Sequence, residues 1–134
     1  MVHGRRLPLP ARVVRRVVRA VLRGERRRAL VSVTFLGPAR MRRLNARYTG
    51  HDRPTDVLAF TLEQPEGLPL ADLYVCKAVA ARAAVTHQVP LRQELIRLVV
   101  HGTLHALGHD HPEGPDRTRS PMWRRQERYV EALA

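Results

Sequence analysis

The sequence lacks the marks of secreted and membrane-spanning proteins. Its 134 residues include one cysteine, Cys76, so no disulfide bond can form within the chain. No apolar run approaches the roughly 20 residues of a transmembrane helix, and the arginine-rich start lacks the apolar segment of a secretory signal. We therefore expect a soluble cytoplasmic protein in which Cys76 is a small buried thiol rather than a reactive one.

Acidic residues and lysine are also scarce. Asp and Glu number 12 against 24 Lys and Arg, which gives a formal net charge of +12, and Lys77 is the only lysine. A field of this sign attracts polyanions such as RNA or DNA, although an arginine bias is also typical of a GC-rich genome. Three arginines of the first predicted helix, Arg12, Arg16 and Arg19, are predicted to bind RNA. The alternative is that they form a solvated helix face.

The predicted helices and strands indicate one small mixed domain. A chain of this length with 44% hydrophobic residues supports one core and is too short for two ordinary domains, so residues 1–134 are predicted to form a single domain. Helical periodicity occurs in 11–24, 39–48, 77–88, 91–107 and 121–133, and β-branched runs occur in 29–37, 55–63 and 71–76. The last two strands are expected to form a hairpin-like pair. The order of elements predicts a mixed β-sheet packed by helices, in an α+β or α/β arrangement.

A dense histidine cluster begins at His101, where the stretch HGTLHALGHDH holds four of the seven histidines in the chain. His101 and His105 are four residues apart, so on a helix they project from one face and can converge on one ion. On a straight helix His109 would lie about 12 Å from His101, too far for two imidazoles that must each approach zinc to about 2.1 Å. Gly108 is therefore predicted to end the helix, so that the chain folds back and His111 becomes the third ligand.

The spacing of this triad is that of the metzincin proteases, but one catalytic group is missing. Metzincins carry a glutamate directly after the first histidine to activate zinc-bound water, and this chain has Gly102 there. Because glycine costs a helix about 1 kcal/mol relative to alanine, we interpret Gly102 as leaving space beside the metal. Three neutral imidazoles leave the fourth position open, as in catalytic zinc sites. We predict one zinc per chain; the alternative is that these histidines only decorate a helix end.

Two separated motifs resemble those of one family. The stretch 101–111 is similar to the YbeY pattern His-Gly-x-Leu-His-Leu-x-Gly-Tyr-Asp-His. "LNARYTGHDRPTDVLAF", residues 44–60, resembles the Leu-Asn-x-x-Tyr-Arg and Pro-Thr-Asp-Val-Leu-Ser-Phe stretch of the same family. Weaker matches are "ADLYV" to the Gly-Asp-Ile strand and Met122, Gln126 and Glu127 to the C-terminal pattern. The sequence therefore resembles the YbeY family of bacterial rRNA maturation factors over residues 10–133, although little of the family's first strand precedes the first helix.

The resemblance implies a metal-dependent, single-strand-specific endoribonuclease. It implies a role in rRNA maturation, including processing of the 16S rRNA 3′ end, and in ribosome quality control. The implied fold has a zincin-like metal helix with zinc on His101, His105 and His111. The implied partners are RNA and the ribosomal small subunit with its assembly factors, with no membrane and no DNA. The alternative is a zinc-stabilised assembly factor that binds RNA with little or no nuclease activity.

Departures from the family pattern affect the expected catalytic groups. Thr49 stands where the family has an arginine regarded as important for activity. We therefore predict that Arg47 or Arg53 supplies the catalytic cation, or that activity is weak. Asp110 lies between two ligands and is predicted to orient an imidazole or manage a proton, with an ion pair to arginine as the alternative. Asp56 is predicted to fix the entry of its strand by hydrogen bonding.

Overall fold

The computed structural model describes residues 1–112 and 114–134, which fold into a four-stranded mixed sheet packed by helices. The strands are β1 (Val2–His3), β2 (Leu30–Leu36), β3 (Val57–Leu62) and β4 (Leu70–Cys76). The helices are α1 (Ala11–Glu25), α2 (Pro38–Thr49), α3 (Lys77–His87), α4 (Leu91–Ala106), a 3₁₀ helix (Gly114–Arg119) and α5 (Pro121–Leu133). The predicted α+β fold class is confirmed.

The sheet has the strand order β1-β2-β4-β3. The pairs β1–β2 and β2–β4 are parallel, whereas β3 and β4 run antiparallel from Val57 opposite Val75 to Leu62 opposite Leu70. The predicted hairpin-like pair is therefore confirmed. β1 was not expected as a strand, since two residues are too few to show an alternating pattern. Within the described residues, no helix combines the length and apolar content needed to cross a membrane.

Helix α1 lies on one face of the sheet. Its valines at helical spacing, from Val13 to Val21, are buried in the main core, while its arginines face solvent. The helix ends at Glu25, one residue beyond the predicted range 11–24, and the residue that caps it in the left-handed conformation is Arg26. Gly24 instead makes room for the Tyr129 ring of α5. The glycine thus serves the packing of two helices.

Helix α4 is the centre of the core. It packs against α1, α3, α5 and the strands β3 and β4, and almost all of its side chains from Glu94 to Leu104 are buried. A Cβ added at Gly102 would lie 2.9 Å from Leu73 and 3.1 Å from Val57. The space left by Gly102 is therefore filled by the sheet, and our interpretation of it as space beside a metal is wrong. This close packing sets the position of the helix that carries two of the histidines.

The opposite face of the sheet carries a smaller cluster under α2. Successive residues of a strand point to opposite faces. Accordingly, Val75 of β4 belongs to the main core, whereas Cys76 packs with Leu36 and Met41 beneath α2. Cys76 is fully buried, which agrees with the expected unreactive thiol.

Candidate metal centre

Three histidines converge at the end of α4. His101 and His105 lie on the helix and His111 on the segment that follows, and one nitrogen of each lies within 4.8 Å of the others. A tetrahedral ion with ligands at about 2.1 Å would hold its nitrogens about 3.4 Å apart, so small side-chain rotations would enclose one ion. His101 is buried and His105 is exposed, so the cluster has an inner and an outer side. The donor set fits zinc, which favours imidazole ligands.

The turn that brings His111 back is built on Gly108. This glycine has φ +101°, and its N–H donates to the carbonyl of His105 at 3.0 Å. The N–H of His109 donates to the carbonyl of Leu104 at 3.1 Å. These two bonds form a Schellman ending, which glycine permits because it tolerates positive φ. The predicted helix end at Gly108 is confirmed, and the structure brings the three histidines together as the spacing predicted.

His109 points away from the triad, as expected. Its Nε2 lies 2.7 Å from Glu25 Oε1 at the end of α1. Glu25 also accepts hydrogen bonds from the Tyr129 hydroxyl at 2.6 Å and from Arg125 at 3.0 Å. Burial by itself would raise the pKa of the Glu25 carboxyl, but these three hydrogen bonds outweigh burial and lower the pKa below its usual value. His109 thereby ties the turn to α1 and α5.

Asp110 acts on the backbone of the turn. Its Oδ1 accepts the N–H of His111 at 2.8 Å, which fixes the chain direction just before the third histidine side chain. In the part of the chain that the structure describes, Asp110 forms no hydrogen bond or ion pair with an imidazole or an arginine. Its role in orienting an imidazole or managing a proton stays a prediction.

Gln126 of α5 orients the innermost histidine. Its Oε1 lies 2.7 Å from His101 Nδ1, and its Nε2 donates to Glu127 at 3.0 Å. A carbonyl oxygen only accepts, so Nδ1 carries the proton and Nε2 of His101 keeps its lone pair. The carbonyl of Pro112, 3.1 Å from Nδ1 of His111, selects the same tautomer there. Two of the three imidazoles thus present Nε2 as the free ligand atom.

The environment of His101 keeps its ring neutral. Burial is the largest effect and lowers the pKa of His101 to about 4, with a smaller contribution from the positive charge of Arg117. The hydrogen bond to Gln126 opposes this shift. A ring that is neutral at physiological pH needs no deprotonation before it binds a metal. Sequence reasoning noted Gln126 only as part of a family pattern and gave it no role.

A cavity of about 420 Å³ adjoins the buried side of the triad. Besides His101 it is lined by Asp56, by Arg117 and Thr118 of the 3₁₀ helix, and by Trp123 of α5. As predicted, Asp56 fixes the strand entry, since its Oδ1 accepts the N–H at the start of β3 at 2.8 Å. Arg117 is the cation that sequence reasoning missed. Only its place in a loop after the histidines could have suggested it.

The arginines predicted to be catalytic lie elsewhere. Arg47 is exposed on α2, with its guanidinium 5.4 Å from the Tyr48 ring, and Arg53 lines a shallow groove between α2 and the loop before β3. Neither is among the described residues of the histidine cavity. Thr49 is also exposed, and its hydroxyl donates to the carbonyl of Asn45 at 2.7 Å on its own helix. None of these three side chains lines the cavity beside His101, so a catalytic role for them stays a prediction.

The predicted RNA-binding arginines form an exposed row on α1. Arg12, Arg16 and Arg19 all face solvent, and Arg16 donates to the carbonyl of Leu133 at 3.4 Å. Leu133 ends α5 seven residues beyond Gln126, or about 10 Å at 1.5 Å per residue. Arg16, the middle member of the row, therefore contacts the C-terminal end of α5, about two helical turns beyond Gln126.

Two comparisons of the sequence with known proteins point to one family, and a solved structure has a similar fold. The family model described as Endoribonuclease YbeY matches residues 9–134. An endoribonuclease YbeY of Desulfitobacterium hafniense is 40% identical over 119 residues, which cover 81% of this chain and 74% of the relative. One of Chromohalobacter salexigens is 45% identical over 84 residues, 60% of this chain, and the match spans only 54% of that relative. The solution structure of a Thermotoga maritima protein covers 98% of this chain and 87% of its own, with a TM-score of 0.67 and 26% identity. On this evidence the chain belongs to the endoribonuclease YbeY family.

Proposed function

We propose that this protein is a zinc-dependent endoribonuclease that cuts single-stranded RNA during rRNA maturation. The observation that carries the proposal is the cluster of His101, His105 and His111, whose three donor atoms lie within 4.8 Å of one another. The relatives are named endoribonucleases, and the net charge of +12 suits an RNA substrate. The further role we propose is processing of the 16S rRNA 3′ end and ribosome quality control in the cytoplasm, with the ribosomal small subunit and its assembly factors as partners.

The three histidines would hold one zinc per chain. When bound, the ion supplies Lewis acidity toward a phosphoryl oxygen and toward water. Gln126 holds the proton on Nδ1 of His101 and so keeps Nε2 aimed at the metal. The exposed ring of His105 leaves the outer side of the cluster accessible to a long substrate.

The remaining predicted catalytic groups would act on the turn and on flanking phosphates. Asp110 positions the backbone of His111, and we propose that it also manages a proton when RNA covers the site. Arg47 and Arg53 are proposed to bind phosphates of the same strand at a distance from the cut, because neither lines the histidine cavity. Arg12, Arg16 and Arg19 are proposed to attract RNA through their exposed charge.

A second function is favoured by one observation. Thr49, at the position of the family's arginine, has no charge, and its hydroxyl is held by Asn45 on its own helix. A zinc-stabilised assembly factor that binds rRNA without cutting it would not need that cation. This alternative predicts bound zinc and bound RNA without cleavage.

The test compares cleavage of a labelled single-stranded RNA with cleavage of the same sequence in a duplex. Each RNA is incubated with zinc-loaded protein, with protein stripped by a chelator, and with stripped protein resupplied with zinc. We expect cleavage of the single strand alone, lost on chelation and restored by zinc. His105→Ala should abolish cleavage, and His51→Ala, in an exposed loop outside the cluster, should not.

Cleavage that survives complete removal of metal would refute the proposal. So would metal analysis in which His111→Ala keeps full zinc occupancy while His109→Ala loses it. Stoichiometric zinc and tight RNA binding without any cleavage would favour the assembly factor.

A further inference from the structure

The cavity beside His101 has the size and lining of a site for a small planar ligand. Its volume of about 420 Å³ lies within the range of about 300–1,000 Å³ that is usual for ligand pockets. Its lining includes the apolar side chains of Val89 and Leu98 and the half-buried ring of Trp123. An indole beside apolar walls is a surface on which a nucleobase can stack.

Arg117 gives the same cavity a cation with a hydrogen-bond donor that has no acceptor among the described residues. Its Nε is buried, and among the described residues no atom accepts a hydrogen bond from it. Its guanidinium carbon lies 6.0 Å from the centre of the Trp123 ring. A guanidinium next to an aromatic ring is arranged to take the phosphate and the base of one nucleotide together.

The acidic groups of the cavity are already engaged. The carboxylate of Glu94 pairs with Arg97 at 2.9 Å, and Arg97 also pairs with Glu127 at 2.8 Å. Asp56 accepts the N–H of Val57 at 2.8 Å. Neither carboxylate pairs with Arg117, so the positive charge of Arg117 stays available to an anion in the cavity.

We propose that this cavity binds one nucleotide of the RNA strand, with its base against Trp123 and its phosphate on Arg117. The inference rests on the proposed function and adds a subsite to it. Because Arg117 and His101 line the same cavity, the bound nucleotide neighbours the phosphate to be cut. Arg117 thereby supplies a cation near the triad that Thr49 cannot supply.

The test uses Trp123, the only tryptophan in the chain, whose ring borders this cavity and also a groove on the surface of α5 that Arg124 lines. Metal-free protein is titrated with each of the four nucleoside 5′-monophosphates, with the unphosphorylated nucleosides and with ribose 5-phosphate. Absorbance by the ligands is corrected with free N-acetyltryptophanamide. We expect saturable quenching by at least one monophosphate and none by ribose 5-phosphate, which has no base to stack.

Two matched variants distinguish nucleotide binding in the cavity from nonspecific attraction to a basic protein. Arg117→Gln should raise the Kd of the monophosphate about tenfold or more and leave the Kd of the nucleoside unchanged, because only the phosphate contact is lost. Arg124→Gln removes the same charge from an exposed position on α5 outside the cavity and should change neither value.

Three results would overturn the proposal: no saturable quenching by any monophosphate, equal quenching by ribose 5-phosphate, or equal losses in the two variants. Metal-dependent RNA cleavage is measured on a portion of the same preparation that has been reloaded with zinc. Cleavage without nucleotide binding would overturn this inference and leave the nuclease intact. Nucleotide binding in a protein that cuts no RNA would support the subsite and refute the nuclease.

Discussion

The hydrogen bond between Gln126 and His101 gives the sharpest test of how α5 supports the metal centre. Replacing Gln126 with methionine keeps a long unbranched side chain in the core but removes the amide oxygen, 2.7 Å from Nδ1 of His101. Gln126 is 1% exposed and His101 is 6% exposed, so water cannot easily replace the lost acceptor. An unpaired buried donor costs about 1–3 kcal/mol, and loss of a partner that orients a metal ligand typically weakens metal binding about 10–100-fold.

Two measurements check this expectation. Urea unfolding of the metal-free protein should show a loss of about 1–3 kcal/mol in Gln126→Met. Competition with a chromophoric chelator should show the weaker zinc binding. Gln126→Glu, which keeps an acceptor oxygen, should stay within a few-fold of the wild-type zinc affinity. Gln93→Met is the matched control, since Gln93 is a half-buried glutamine of α4 with no described side-chain hydrogen bond, and it should change stability by less than about 0.5 kcal/mol.

The reasoning would be refuted if Gln126→Met bound zinc as tightly as the wild type. It would also fail if Gln126→Met and Gln93→Met lost the same affinity. In either case Gln126 would contribute only packing, and the tautomer of His101 would be set by another group.

Three further predictions follow from the charges of the chain. Changing Arg12, Arg16 and Arg19 to glutamine should weaken RNA binding and flatten its salt dependence in filter-binding titrations, because each phosphate contact releases counterions; an unchanged slope would make them a solvated face. Thr49→Arg should raise metal-dependent RNA cleavage by about two to three powers of ten with zinc content unchanged, and a wild type that already cuts rapidly would contradict this. Metal-free protein should lose up to about 3 kcal/mol of its unfolding free energy as the pH falls from 6.5 toward 4. The reason is that burial lowers the pKa of His101 from 6.5 to about 4, so in this range the unfolded chain protonates this histidine before the folded chain does. Urea unfolding should show a smaller loss in His101→Gln, and an equal loss would count against this assignment.

The sequence by itself determined most of the local structure. Valines at helical spacing predicted α1, because burying one helix face needs a period that is visible in the chain, and β-branched runs predicted β2, β3 and β4. The histidine triad was predictable for the same reason. His101 and His105 are one helical turn apart, and Gly108 lies only three residues before His111.

Only the tertiary structure decided which distant groups meet the triad. Gln126 is 25 residues from His101, and its contact depends on how α5 packs on α4. Position 102 needs a glycine because α4 packs so closely on the sheet that a larger side chain would collide with Leu73 of β4. Arg117 enters the cavity while Arg47 and Arg53 stay outside it. Such contacts leave no periodic pattern in the sequence, because they depend on how whole elements pack together and not on the spacing of residues within one of them.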